Sequence, residues 1–320
     1  WDIGPENIAI TNGSQSAFFF LFNMFSGTFS QPGKEPLKKT VVFPLVPEYV
    51  GYADQGIEKD TFVGIPAKCV YYPDNTFKYF IDFDALETYL EKHREVGAMC
   101  VSRPTNPTGN VLTNDEIRHL SALAYKYNIP LFVDNAYGLP FPNIIFTEDA
   151  KPYWDSSVIL SMSLSKIGLP SLRTGIVVAK PELIKALASV NSIVALASGS
   201  LGQVISQDLF ATGKMKTLAE SYVRPFYQQK SLFAQNCFKE YFAGTNYSVH
   251  KSEGAIFNWI LMNDLKIPTK ELYVKLKDQG VITVPGEYFF FGTPEHEHYD
   301  KCLRINYSRP EDEVREGIRI

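Results

Sequence analysis

The feature that most constrains this chain is an alternation. Through its first two thirds, short apolar runs that stop on a polar residue take turns with longer stretches of helical spacing. The runs Asn7–Thr11, Thr40–Phe43, Ala98–Ser102, Pro130–Asp134, Val158–Ser161 and Thr174–Ala179 read as strands, the second ended by Pro44. Ser14–Phe25 reads as a buried helix. Asn114–Tyr127 sets Ile117, Leu120, Leu123 and Ala124 on one helical face behind a Thr113 or Asn114 cap, with Glu116 in the first turn. Strands that alternate with helices form a mostly parallel sheet covered on both faces, so the expected fold class is α/β. Ligands of such sheets bind beyond the carboxyl ends of the strands, and those ends are where chemistry is sought.

After about residue 215 the pattern changes. A long helix is expected over Lys216–Phe242. It is followed by strands at Ala255–Met262, Val281–Val284 and Cys302–Tyr307 and a helix at Lys270–Gln279. This predicts a large domain over 1–215 and a connecting helix with a smaller α+β domain over 216–320, the site lying in the cleft between them. The length of 320 residues agrees with two domains at about 150 residues each.

Composition removes several classes of partner. Lys plus Arg number 31 against 35 Asp plus Glu, a net charge of −4, so nothing sequence-wide attracts nucleic acid or an anionic membrane. The longest apolar stretch, Ala17–Phe25, falls far short of the roughly 18 residues that span a bilayer. Cys69, Cys100, Cys237 and Cys302 stand far apart with no CxxC pair, which predicts free thiols in a reducing cytoplasm. His296-Glu297-His298 has no third separated ligand and is expected to be solvated surface, so no metal is expected.

The loops after the strands carry the chemistry. Asn12-Gly13-Ser14-Gln15 opens a helix, where free N–H groups, a dipole end and a hydroxyl can meet an anion. Arg103-Pro104-Thr105-Asn106-Pro107-Thr108-Gly109 holds Asn106 between two prolines and a glycine. Asp134-Asn135-Ala136-Tyr137-Gly138 delivers a carboxylate at the end of an apolar strand, which demands a cation or several donors. Ser163-Leu164-Ser165-Lys166 places a lysine between hydroxyls and apolar residues, with Arg173 seven residues on. An aspartate, an asparagine, a tyrosine, a lysine, an arginine and a Gly-Ser helix start at the ends of one sheet are what pyridoxal phosphate requires. No G-x-G-x-x-G follows a strand, and Thr212-Gly213-Lys214 lacks the rest of a Walker A loop, so a nucleotide site is not expected.

Through these motifs the chain resembles the fold type I pyridoxal-phosphate aminotransferases. Asn12–Phe19, Pro47-Glu48-Tyr49, Asp134–Gly138 and Ser161–Lys166 resemble most a bacterial subgroup of small-amino-acid and 2-oxo-acid aminotransferases. The resemblance implies that Lys166 is the Schiff-base lysine and proton carrier, and that Asp134 pairs with the ring nitrogen. Asn106 and Tyr137 would bond the ring 3-oxygen, and Tyr49 would stack on the ring. Gly13, Ser14, Gln15, Ser163, Ser165 and Arg173 would form the phosphate site. Arg304, in Leu303-Arg304-Ile305-Asn306-Tyr307, would grip the substrate carboxylate, aided by Asn106. A homodimer is implied too. Relatives carry a further N-terminal segment and a longer last helix, so the chain is expected to be a fragment that retains cofactor weakly. An apolar side-chain pocket is expected, with Gly286–Phe291 as a candidate wall. The same cofactor residues serve C–S lyases and other amino-acid aminotransferases, and an aminotransferase-like domain can also act as a ligand-sensing regulator.

Overall fold

The computed structural model describes residue 1 and residues 3–320. In its first part it runs β1 (Ile8–Thr11), α1 (Ser14–Phe25), β2 (Gly27–Phe29), β3 (Leu37–Val46), β4 (Phe62–Pro66), β5 (Lys68–Tyr71) and β6 (Thr76–Phe80). There follow α2 (Phe83–Lys92), β7 (Val96–Ser102), α3 (Asn114–Tyr127), β8 (Leu131–Asp134), β9 (Val158–Ser163) and β10 (Gly175–Val178). The later part holds α4 (Pro181–Ala195), α5 (Leu201–Ala211), α6 (Lys214–Leu218), α7 (Arg224–Tyr241), β11 (Tyr247–His250) and β12 (Phe257–Met262). It closes with α8 (Thr269–Asp278), β13 (Val284–Pro285), β14 (Cys302–Asn306) and α9 (Glu311–Arg319).

The larger sheet is ordered β1-β10-β9-β8-β7-β3-β2, with β4 also on β3. Its centre is parallel: β9, β8, β7 and β3 pair in one direction. β10 runs against both β9 and β1, so β1 points the same way as β9. The carboxyl ends of β1, β3, β7, β8 and β9 therefore share one edge. β7, β8 and β9 are buried along their whole lengths, as strands covered on both faces must be. α3 shows why its residues form a helix. Thr113 and Glu116 close a reciprocal capping box, Asn128 ends the helix in the left-handed region, and Ile117, Leu120, Leu123 and Ala124 are buried between.

Three expectations are corrected. β3 continues through Pro44 to Val46, because its pairing with β4 is irregular between Phe43 and Val46 and the missing N–H falls in that gap. The helix expected over Lys216–Phe242 is α6 and α7 joined by a π-turn at Ala219–Val223, just before Pro225, where the ordinary ladder loses a donor. The strand expected at Val281–Val284 pairs only at Val284–Pro285.

The second sheet is ordered β13-β14-β12-β11-β6-β5. It is built from both parts of the sequence, since the β5–β6 hairpin comes from residues 68–80 and joins β11 through a parallel β6 edge. Trp259 of β12 is fully buried between this sheet and the large core, against Phe289 at 5.5 Å. No helix among the described residues is long and apolar enough to cross a membrane.

Candidate active site

At the end of β1 the backbone turns through Gly13 at φ 88° and enters α1 at Ser14. A Cβ on Gly13 would lie 2.2 Å from Nη2 of Arg173, so a glycine is what lets the guanidinium rest against the helix start. Arg173 is itself in the left-handed region at φ 44°, and its Nη1 donates to the Pro170 carbonyl at 3.3 Å. Gly175 brings β10 in as closely, since a Cβ there would meet the Ser14 nitrogen at 2.7 Å. Ser14 Oγ donates to the Met162 carbonyl at 3.3 Å, Gln15 Nε2 donates to the Gly51 carbonyl at 3.1 Å, and the Ser165 N–H donates to Ser163 Oγ at 3.0 Å. Helix amides, three hydroxyls and a guanidinium thus converge on one spot, an arrangement suited to a phosphate.

Asp134, at the end of β8, is 9% exposed. Burial pushes its carboxyl up, while the Tyr52 hydroxyl, the Ala136 N–H and the charge of Lys166 pull it down. Burial pulls the Lys166 amine down, Asp134 opposes that shift, and the charges of Arg304 and Arg173 add to it. The Lys166 Nζ stands 5.4 Å from the centre of the buried Tyr137 ring. Tyr49 follows β3 and meets Tyr52 edge-on at 5.1 Å.

Arg304 reaches the same cavity from β14. Its Nη1 donates to Asn106 Oδ1 at 2.8 Å, and its guanidinium lies between the rings of Phe257 at 4.4 Å and Phe289 at 5.3 Å. Its Nε is buried without a partner. All of the residues expected at the site except Gly13 line one cavity of about 470 Å³ at the strand ends, and Gly13 backs it. The cavity holds three cations, Lys166, Arg173 and Arg304, against one carboxylate, Asp134.

A family model described as aminotransferase class I and II matches residues 59–320. The chain is 44% identical to the valine–pyruvate aminotransferase of Escherichia coli strain K12, over its whole length and 75% of that protein. The chain belongs to the class I and II aminotransferases. Among solved structures it is similar to a Psychrobacter arcticum 273-4 chain designated an amino-acid aminotransferase, at 43% identity and TM-score 0.95, covering all of this chain and 74% of that one. It is also similar to the valine–pyruvate aminotransferase of Salmonella typhimurium LT2, at 45% identity and TM-score 0.90, over all of this chain and 78% of that one.

Aminotransferases of this family use pyridoxal 5′-phosphate, and the residues present fit it. The cradle between Gly13 and Arg173 is closed to any side chain on residue 13, and Lys166 and Asp134 line the same cavity as Arg173.

Several contributors were not legible from motifs. Tyr52 holds Asp134, and Val50, Ile256 and Phe257 line the cavity, as do Ser102, Pro104, Ala136 and Asn306, which stood in the motifs without a role. Ile256 and Phe257 were visible only as the start of a strand, and no local pattern marks them. The segment Gly286–Phe291 does not line the cavity; it serves the site from behind, through Phe289 against Arg304. His298 is not solvated surface. It is 2% exposed, and its two ring nitrogens face the hydroxyls of Tyr71 at 2.7 Å and Tyr79 at 2.6 Å.

Proposed function

We propose that this chain transfers an amino group between L-valine and pyruvate, giving 3-methyl-2-oxobutanoate and L-alanine. The observation that carries the reading is the cavity's set of charges. Once Arg173 is assigned to a phosphate and Lys166 to the cofactor, Arg304 is the remaining cation on the wall, enough for one carboxylate and no more. Phe257 lies against Arg304, and Val50, Pro104, Ala136 and Ile256 add apolar surface to the cavity, which suits a small aliphatic side chain. The name of the Escherichia coli relative supports the same substrates.

When bound, the cofactor supplies an electron sink for the charge left at the substrate α-carbon. Lys166 would hold the group through Nζ and supply the base that carries the substrate α-proton. Burial and two neighbouring guanidinium groups favour its neutral, nucleophilic amine. Asp134 would keep the ring nitrogen protonated, with its own charge supported by Tyr52 and the Ala136 N–H. Asn106 and Tyr137 would bond the ring 3-oxygen, and Tyr49 would pack against the ring. Gly13, Ser14, Gln15, Ser163, Ser165 and Arg173 bind the phosphate. Arg304 binds the α-carboxylate, with Asn106 fixing its orientation.

We assign the cofactor domain to 1–215 and a connecting helix with a partial small domain to 216–320, whose sheet is completed by the β5–β6 hairpin. The exposed Ile193, Val194, Leu196, Leu201 and Val204 of the α4–α5 region support a homodimer face. Four free cysteines support a cytoplasmic location.

The test is to supply valine, pyruvate and pyridoxal phosphate and follow alanine. Alanine should form with the wild type and not with Lys166→Ala. Sulfide release from cysteine without amino transfer would replace this reading by a lyase.

A further inference from the structure

One carboxyl group beside the cavity has no part in the scheme above. Glu48 sits directly after the Val46–Pro47 peptide bond, between β3 and Tyr49, and is 1% exposed. A carboxyl at that depth is costly unless donors surround it. Here they come from two different strand ends. The Tyr49 N–H donates to Oε1 at 2.8 Å, the Ser102 N–H at the end of β7 donates to Oε2 at 2.9 Å, and the Ser102 hydroxyl is hydrogen-bonded to the same carboxyl. The backbone N–H of Glu48 donates to the Phe289 carbonyl at 3.0 Å, and the Phe289 ring is the one that backs Arg304.

Three of these ties end on residues of the cavity wall, and the fourth on Phe289 behind Arg304. Tyr49 and Ser102 line the cavity, and the chain leaving Ser102 reaches Asn106, the hydrogen-bond partner of Arg304, within four residues. We propose that Glu48 is a positioning residue for the transfer reaction: its carboxyl locks the Tyr49 loop to the end of β7, and so sets the aromatic face, Asn106 and Arg304 in register with one another. The inference rests on the function proposed above.

The charge state of Glu48 supports this role. Burial pushes its carboxyl up to about 8, with the charge of Asp134 acting in the same direction and the Ser102 and Tyr49 donors opposing it. Shifted in that direction, the carboxyl accepts from the Tyr49 and Ser102 amides and the Ser102 hydroxyl while the negative charge it adds beside Asp134 is reduced. Glutamine cannot reproduce this pattern. Whichever way its amide is turned, the NH₂ faces either the Tyr49 N–H or the Ser102 N–H, and a buried backbone donor is left unmatched.

The experiment compares wild type, Glu48→Gln and Glu48→Asp loaded with pyridoxal phosphate. It reads the visible circular dichroism per bound cofactor together with kcat and KM for valine. For Glu48→Gln the dichroism should fall roughly twofold, kcat about tenfold, and KM should rise several-fold, with Glu48→Asp recovering part of the loss. Dichroism, kcat and KM at the wild-type values overturn the proposal even if the melting temperature drops, because packing alone moves stability and not the geometry of bound cofactor. Should Glu48→Gln fail to fold, Ser102→Ala removes only the hydroxyl tie: an altered dichroism supports the proposal and an unchanged one overturns it. A wild type that takes up no cofactor overturns the proposed function and this inference together. A wild type that transfers the amino group beside an unaltered Glu48→Gln overturns this inference alone.

Discussion

The phenol of Tyr52 donates a 2.6 Å hydrogen bond to Oδ2 of Asp134, and both groups are buried. The other carboxylate oxygen accepts the Ala136 N–H at 3.0 Å. Tyr52 cannot swing away, since its ring stacks on Phe43 at 5.8 Å and meets Phe22 edge-on at 5.3 Å. A carboxylate at the end of an apolar strand is thereby kept in one orientation, facing the cavity that Lys166 also enters.

Removing the phenol tests that support. In Tyr52→Phe the carboxyl of Asp134 loses a donor that pulls it down, so its proton affinity should rise further. A hydrogen bond to a charged group is worth about 1.5–3 kcal/mol, so kcat should fall by roughly ten- to a hundredfold, and the cofactor-free protein should lose stability of the same order. Unchanged turnover would show that Asp134 needs no help from Tyr52.

The phosphate cradle makes a separate prediction. Gly13→Ala forces a side chain into the space of the Arg173 guanidinium and strains a backbone at φ 88°. Pyridoxal phosphate should bind at least about tenfold more weakly by equilibrium dialysis, the loss of one charge-assisted contact. Pyridoxal without the phosphate should bind both proteins alike, and a loss of equal size for both ligands would count against the cradle.

At the opposite end of the cavity, Arg304→Lys keeps the charge and loses the planar fork held by Asn106, Phe257 and Phe289. KM for the amino donor should rise about tenfold or more, while cofactor affinity stays near wild type. Equal KM values would remove Arg304 from carboxylate binding.

Acid stability should depend on two histidines that do not line the cavity. Burial, the chief cause in each, pulls both His250 and His298 down to about 3. The unfolded chain then binds protons that the folded protein refuses, so their stabilising effect, complete above about pH 6.5, is lost as pH falls from there toward 3. His298→Gln should cost about 1–2 kcal/mol at pH 7, through its tyrosine partners. Its unfolding free energy should then fall less steeply than wild type below pH 6, by up to about 1.4 kcal/mol per pH unit. Parallel slopes in urea unfolding at pH 7, 6 and 5 would reject the assignment.

What the amino-acid sequence determined by itself is the set of groups at the strand ends. Gly13, Asn106, Asp134 and Lys166 each stand where an apolar run breaks into polar residues, and that signal is local: a buried strand must be apolar, and the chain becomes polar where it leaves the core. α1 was legible to the residue and α3 with its cap for the same reason, since helical spacing and capping lie within one stretch of chain. Tertiary structure alone decided which distant residues support those groups. Tyr52 touches Asp134 from 82 positions away and Glu48 reaches Ser102 across 54, contacts set by strand order and not by neighbours in the chain. The β5–β6 hairpin joins a sheet whose other strands follow residue 246, and His298, polar in its local sequence, is buried because Tyr71 and Tyr79 on that hairpin meet its two nitrogens. Local pattern selects which side chains a segment offers; only the packing of one segment on another selects what each of them faces.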